Sequence, residues 1–243
     1  MLYIYGTIFN NHDVVLKSLE SIKELPYQKI IVTDNYSTDG TYELLVENKD
    51  KYNLCIIRHK CNRGIGRQIA MEEALKESSK NDYLMSVDFD TIYGSDFIKF
   101  VSSVIISPVE NTIYNNFLSL HEANEAVPWR NLNNGEDWER MAHFGSLGFQ
   151  IKIGDFEVNN QRVIGSRDKR YANGLKYYIR VFRNTVDLQV SWCFKSYSEF
   201  YEHVKKRKLI VFLAYILSKF FKNYCYDAKL NNRDFVKKLN KKI

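Results

Sequence analysis

Short apolar runs alternate with amphipathic stretches from residue 2 to about residue 115, and that alternation limits the kind of sheet this chain can build. Leu2 to Phe9 reads as a strand, and Asp13 to Glu24 as a helix with Val15, Leu19 and Ile22 on one face. Lys29 to Thr33 is a second strand, and the turn Ser37-Thr38-Asp39-Gly40 opens a helix holding Leu44 and Leu45. Leu54 to Ile57 is a third strand, followed by a helix from about Gly66 to Lys80. Tyr83 to Val87 is a fourth. Ser95 caps a helix carrying Phe97, Val101, Val104 and Ile105, and Asn111 to Asn115 is a fifth strand. Strands and helices at this spacing imply βαβ units and a mainly parallel sheet flanked by helices. After residue 116 the alternation stops. A loop and an acidic helix start occupy residues 130 to 146, and residues 148 to 164 suggest a β-ribbon around Gly154-Asp155.

The fourth strand ends in Asp88-Phe89-Asp90. A buried strand rarely finishes in two carboxylates unless something positive sits there. Hard divalent cations take oxygen ligands and leave coordination positions open for phosphate, and ligands of open α/β sheets lie beyond the carboxyl ends of the strands. The plain alternative is a turn whose carboxylates cap backbone amides. Asp34, at the tip of the second strand, can accept hydrogen bonds from a base ring or a ribose hydroxyl, whereas Asp39 reads as an Asx-turn and helix cap. In Asn62-Arg63-Gly64-Ile65-Gly66-Arg67, the glycines let backbone approach a ligand and the arginines can neutralise phosphate. The plain alternative is a surface loop with solvated arginines. No Gly-Lys-Ser/Thr ending makes this a P-loop. In Gly135-Glu136-Asp137-Trp138, acidic residues suit the helix dipole, or one of them is a general base. Trp138 then offers a flat apolar face to a sugar ring.

Composition narrows the classes. The chain carries 35 Lys/Arg against 29 Asp/Glu, but the excess is local. From His203 onward there are 12 basic and 2 acidic residues, leaving 23 against 27 in the body. Cys55, Cys61, Cys193 and Cys225 show no metal-binding spacing and read as reduced, mostly buried thiols. The five histidines form no spaced pair. Met1 to Tyr5 reads as strand, not signal peptide, and no apolar run reaches the ~18 residues that a membrane-spanning helix requires.

Taken in order, these segments resemble the family 2 glycosyltransferases, inverting enzymes of the GT-A nucleotide-diphosphosugar transferase fold. The matching segments are Gly6-Thr7-Ile8-Phe9-Asn10, Val32 to Thr41, Asn62-Arg63-Gly64 with Gly66-Arg67-Gln68, Asp88-Phe89-Asp90, and Glu136-Asp137-Trp138, covering residues 1 to about 146. Tyr36 stands where the family usually has Gly, and the glycine loop is one residue short. The resemblance implies that Thr7, Phe9 and Asp34 hold the nucleoside, with Asp34 facing the base. It implies Arg67 at the phosphates or base, Asp88 at the ribose or a metal-bound water, and Asp90 on Mn2+ or Mg2+. Glu136 and Trp138 would join the nucleotide-sugar site, and Asp137 would deprotonate the acceptor. The processive Gln/Arg-x-x-Arg-Trp signature is missing after residue 146, so transfer of a single sugar to a glycan or lipid-linked acceptor is expected.

Residues 1–195 then form a GT-A domain, with residues 1–115 the nucleotide-sugar half and 116–195 the acceptor half; residues 196–243 are a basic amphipathic helical extension. Within it, Lys205 to Lys208 precede the apolar run Leu209 to Leu217, which is too short to span a bilayer but suited to its interface. The two expectations are a peripheral place on an anionic cytoplasmic membrane face and a helix packed on the catalytic domain. No nucleic-acid motif is present. A phosphatase of the haloacid-dehalogenase type also uses Asp-x-Asp after an apolar strand. Its Thr or Val position is Ile92 here, and 87 residues precede the motif. A sugar nucleotidyltransferase needs a basic N-terminal loop that Gly6 to Asn10 lacks. A non-catalytic binding protein of the same fold is the third alternative.

Overall fold

The computed structural model describes residues 1–154, 156, 158–161, 175–205 and 208–221. Four strands lie parallel. β1 (Leu2–Ile8) is flanked by β2 (Tyr27–Asp34) and β4 (Tyr83–Ser86), and β3 (Leu54–Arg58) pairs with β2 on the outside. Beyond β4 the direction reverses. β7 (Leu118–Leu120) runs antiparallel to β4, β6 (Thr112–Tyr114) antiparallel to β7, and β8 (Gln150–Lys152) parallel to β6. The expected mixed, mainly parallel sheet is therefore present. Register sets Ile8 beside Asp34 and Asp34 beside Arg58, so the chemistry-bearing ends of neighbouring strands lie side by side.

Both sheet faces are covered, as a parallel sheet demands. Side chains alternate along β1. Leu2 and Ile4 join a core with Val15, Leu19 and Ile22 of α1 (His12–Ile22) and Phe97 and Val101 of α4 (Ser95–Ile106). Tyr3 and Tyr5 face the other way, onto Ala70, Met71 and Ala74 of α3 (Arg63–Glu77). α2 (Thr41–Glu47) and α5 (His121–Ala126) complete the flanking helices before α6 (Glu136–Ser146).

Three local expectations need correction. Ser95 is the first residue of α4 and Gly94 occupies the cap position, with no side-chain cap bond. The described residues of the 148–164 segment do not form a ribbon of their own. β8 joins the main sheet, while β9 (Val158–Asn160) pairs antiparallel with β5 (Thr91–Tyr93), a strand too short for periodicity to reveal. Asp155 and residues 162–170 lie outside the described residues. Cys55 and Cys61 are free, half-buried thiols, but Cys193 is disulfide-bonded, so four reduced thiols are not observed.

α7 (Leu175–Trp192), α8 (Tyr197–Val204) and α9 (Lys208–Ser218) share one core of Val186, Val190, Phe200, Val211 and Ala214 with Leu132. The boundary drawn at residue 195 falls between α7 and α8, inside that shared core. The apolar run is thus a helix packed on its neighbours, with Val211 and Ala214 buried. Its other side leaves Leu209, Phe212, Leu213 and Ile216 exposed. Lys206, Arg207 and everything from Lys222 onward lie outside the described residues. No described helix is long and apolar enough to cross a membrane.

A buried arginine locks α6 to the sheet. Arg140 donates to Val127 O (3.0 Å), Tyr5 Oη (3.0 Å) and Asn124 Oδ1 (2.9 Å), and its guanidinium lies 4.5 Å from the Trp129 ring centroid. Burial lowers its pKa, so the network around it sustains the charge. Arg140→Met strands these acceptors in the interior, where each unsatisfied group costs about 1–3 kcal/mol. We predict a stability loss of about 3 kcal/mol in urea unfolding; a loss near zero would show that the network carries no weight.

Candidate active site

The C-terminal ends of β1, β2 and β4 meet the N-terminal turns of α3 and α6. Phe89 explains the spacing of the acidic pair. Its ring is buried in the core beneath Gly6, where an added Cβ would stand 2.9 Å from the ring and 2.5 Å from Val87 O. Anchoring the middle residue leaves Asp88 exposed and Asp90 half-buried on either side. The Tyr93 hydroxyl accepts from Asp88 N at 3.0 Å and holds the start of the turn. Burial, then the Asp88 charge, raises the Tyr93 pKa and keeps that hydroxyl protonated.

Arg67 joins the two halves of the site. It lies one turn into α3, whose Asn62 cap accepts from Ile65 N at 2.9 Å. Its Nη2 donates to Asp88 Oδ1 at 2.6 Å and its Nη1 to Glu136 Oε1 at 2.8 Å, while Asp137 Oδ1 stands 4.0 Å from Nη1. Trp129 lies 4.8 Å from the guanidinium, ring centroid to carbon. The Arg67 side chain is only 6% exposed. Burial opposes its charge, but Asp88, Glu136 and Asp137 together outweigh burial and raise its pKa. At Glu136, burial and then the Asp137 charge push the pKa up, against the pull of Arg63 and Arg67. Arg63 reaches the same carboxylate at 3.5 Å.

These positions qualify the expected roles. Asp88, Arg67 and Asp137 come together, Asp90 lies two residues beyond Asp88 near Tyr93, and Asp137 keeps 35% of its side chain exposed. Arg67 is occupied by carboxylates rather than open to phosphate. Glu136, expected at the nucleotide-sugar site, has no exposed surface and accepts from Arg67 Nη1 at 2.8 Å. Trp138 lies against Trp192 of α7, 5.0 Å between ring centroids. Asp34 is fully buried, its carboxylate accepting from Ser37 N at 3.2 Å and pairing with Arg58 Nε at 3.3 Å. Thr7 Oγ1 donates to Thr33 O at 3.0 Å, and Phe9 is half-buried. Asp39 is the expected turn cap, accepting from Thr41 N at 3.1 Å.

The glycines of the third loop serve the protein itself. A Cβ at Gly64 would fall 1.9 Å from Arg130 O, and one at Gly66 2.2 Å from Thr7 Oγ1. Close approach seats α3 against β1 and the 130–132 segment, which aims Arg67. Tyr93, Trp129 and Trp192 escaped the sequence reading because no local spacing marks a side chain that works across sequence distance.

Among the described residues no three His, Cys, Asp or Glu side chains converge on one point. Two carboxylates with oxygen-only chemistry suit a hard cation that keeps several positions for water and substrate phosphate, as Mg2+ does.

The architecture is that of the GT-A glycosyltransferases. It aligns with Staphylococcus aureus TarS 1-349 in complex with UDP-GlcNAc at TM-score 0.54 and 12% identity, over 90% of this chain and 71% of that one. It also aligns with glucosyl-3-phosphoglycerate synthase from Mycobacterium tuberculosis at TM-score 0.52 and 14% identity, over 78% of each chain. Identities this low establish the fold alone. The sequence profile of Glycosyl transferase family 2 matches residues 5–149, and the chain belongs to that family. Poly-beta-1,6-N-acetyl-D-glucosamine synthase of S. aureus is 31% identical over 90 residues, which is 36% of this chain and 21% of that protein. The Staphylococcus epidermidis counterpart is 30% identical over the same length. The match thus spans about a fifth of these curated relatives.

Removing one partner of a buried ion pair costs about 3–5 kcal/mol because the other charge is left uncompensated. We predict that Arg67→Met loses about 3 kcal/mol of stability, and that adding Glu136→Gln to it restores more than half. Denaturant unfolding of the two single variants and the double variant measures this; strict additivity would refute the pairing.

Proposed function

We propose that this chain is a metal-dependent, inverting glycosyltransferase that moves one sugar from a nucleoside diphosphate to an acceptor hydroxyl. The observation that carries the reading is the Arg67 bridge. One side chain reaches both Asp88, at 2.6 Å, and Asp137, at 4.0 Å, which supports a donor side and an acceptor side next to each other. Asp88 and Asp90 would hold Mn2+ or Mg2+, which supplies charge to stabilise the departing diphosphate. Asp137, partly exposed, accepts the proton of the acceptor hydroxyl as that oxygen attacks C1. The new C1–O bond forms on the face opposite the leaving group, the sugar–phosphate bond breaks, and the configuration inverts. Arg67, 4.0 Å from Asp137 Oδ1, helps to keep that carboxylate in place. Thr7, Phe9 and the Asp34 turn form the nucleoside end. The sugar in the relatives' name, with the UDP-GlcNAc bound by TarS, makes UDP-N-acetylglucosamine the first donor to test.

General-base catalysis contributes roughly 10²–10⁴-fold. Wild-type protein with Mn2+ or Mg2+ and a panel of nucleotide sugars should release nucleoside diphosphate, with Asp137→Asn slower by about that factor and binding the donor equally well. Undiminished release by Asp137→Asn would remove Asp137 from the mechanism.

We further propose that the C-terminal helices dock on an anionic membrane surface from the cytoplasmic side, where leaflet charge favours basic segments. Support comes from the exposed Leu209, Phe212, Leu213 and Ile216 of α9, with Phe220 and Phe221 just beyond. A cavity of about 440 Å³ between Leu132, Val186, Val190, Leu217 and Phe221 could receive part of a lipid-linked acceptor. Such an interfacial helix binds through apolar area plus attraction to anionic lipid. The full chain should float with phosphatidylglycerol vesicles, and the triple variant Phe212→Ser, Ile216→Ser, Phe220→Ser should stay in the dense fraction. Equal flotation of both would rule out this surface.

A further inference from the structure

Tyr36 is the one feature near the nucleoside end that neither the core nor the proposed chemistry uses. Its φ is +53°, the left-handed region that side chains other than Gly and Asn seldom adopt. The turn around it is fixed from several directions. Ser37 N donates to both Asp34 carboxylate oxygens, Asn10 N donates to Ser37 Oγ at 2.9 Å, and Thr38 N donates to Asn10 Oδ1 at 2.9 Å. Asn10 directly follows Phe9, so the loop carrying Phe9 and the turn carrying Tyr36 are tied to each other. Strain held this firmly in place clusters where ligands bind.

The ring is presented rather than buried. Tyr36 is 51% exposed, and the Arg58 guanidinium carbon lies 5.0 Å from its ring centroid. Arg58 is itself fixed by Asp34 Oδ2 at 3.3 Å and Ser37 O at 3.3 Å, and lies 4.2 Å from the Tyr42 ring centroid. Asp34, with no exposed surface, anchors this assembly from beneath. The result is a flat aromatic face, backed by a cation, at the joined ends of β1 and β2.

We propose that Tyr36 is a base-stacking residue of the donor site: the nucleobase of the nucleoside diphosphate lies on its ring. The inference rests on the glycosyltransferase reading above and adds to it the surface that holds the base. Aromatic stacking tolerates any base, so Tyr36 sets affinity, and the choice among bases falls to the edge contacts around it.

Calorimetric titration of wild type, Tyr36→Phe, Tyr36→Gly and Tyr36→Asn with UDP and GDP, in the presence of Mn2+, tests this. Tyr36→Phe keeps the ring and should bind as wild type does. Tyr36→Gly and Tyr36→Asn accept the positive φ without the ring, and should bind about tenfold more weakly with a melting temperature level with wild type or higher. Equal binding by all four proteins overturns the stacking role while leaving the transferase reading standing. Weaker binding accompanied by a lowered melting temperature in both ring-less variants also overturns it, because Tyr36 would then be structural. No binding of either nucleotide to wild type overturns both readings.

Discussion

Arg67 sits almost without solvent contact between carboxylates that arrive from opposite parts of the sequence. Stripping water from a guanidinium costs several kcal/mol even after relaxation, and that cost is met only if carboxylates close on it with good geometry. Asp88 and Glu136 do so at 2.6 and 2.8 Å. The turn after β4 and the N-terminal turn of α6 therefore have little freedom to separate. Two acidic segments 48 residues apart would otherwise repel each other across the cleft. The arginine turns that repulsion into a fixed spacing and leaves Asp137 at the margin, 4.0 Å from the guanidinium and partly exposed.

Much of the parallel half was legible because it obeys simple periodicities. Leu2 and Ile4 against Tyr3 and Tyr5, or Val15, Leu19 and Ile22, announce their faces within a few residues. Beyond β4 that legibility thins: β6 falls within the strand expected at Asn111 to Asn115, but β5, β7, β8 and β9 are three residues each, too short for an alternation to register, and their partners are set by tertiary context. Hence the supposed ribbon at residues 148 to 164 proved to be two strands serving two different sheets.

Around Arg67 the acids were legible as residues at element ends, but their contacts were not. Asp88, Asp90 and Asp137 declare themselves as acids at element ends. Nothing in the local pattern says that Glu136 is buried behind Arg67, or that Asp34 is wholly covered. Two neighbouring acids, Glu136 and Asp137, look alike in sequence, yet helix rotation by one residue sends one inward and the other to the cleft. The glycines of the third loop carry the same lesson. Their small size admits a neighbouring segment of the same chain, as the 1.9 Å approach at Gly64 requires, where sequence alone suggested a ligand.

The turn that launches α6 leans on α7. Gly135, at φ +72°, leaves room for Ser191, whose side chain a Cβ at that glycine would meet at 2.8 Å, and Ser191 Oγ donates to Asn134 O at 3.3 Å. With Trp138 resting on Trp192, the first turn of α6 has α7 as its backstop. A residue with a side chain at 135 would press on Ser191 and shift the first turn of α6, Asp137 included, away from α7.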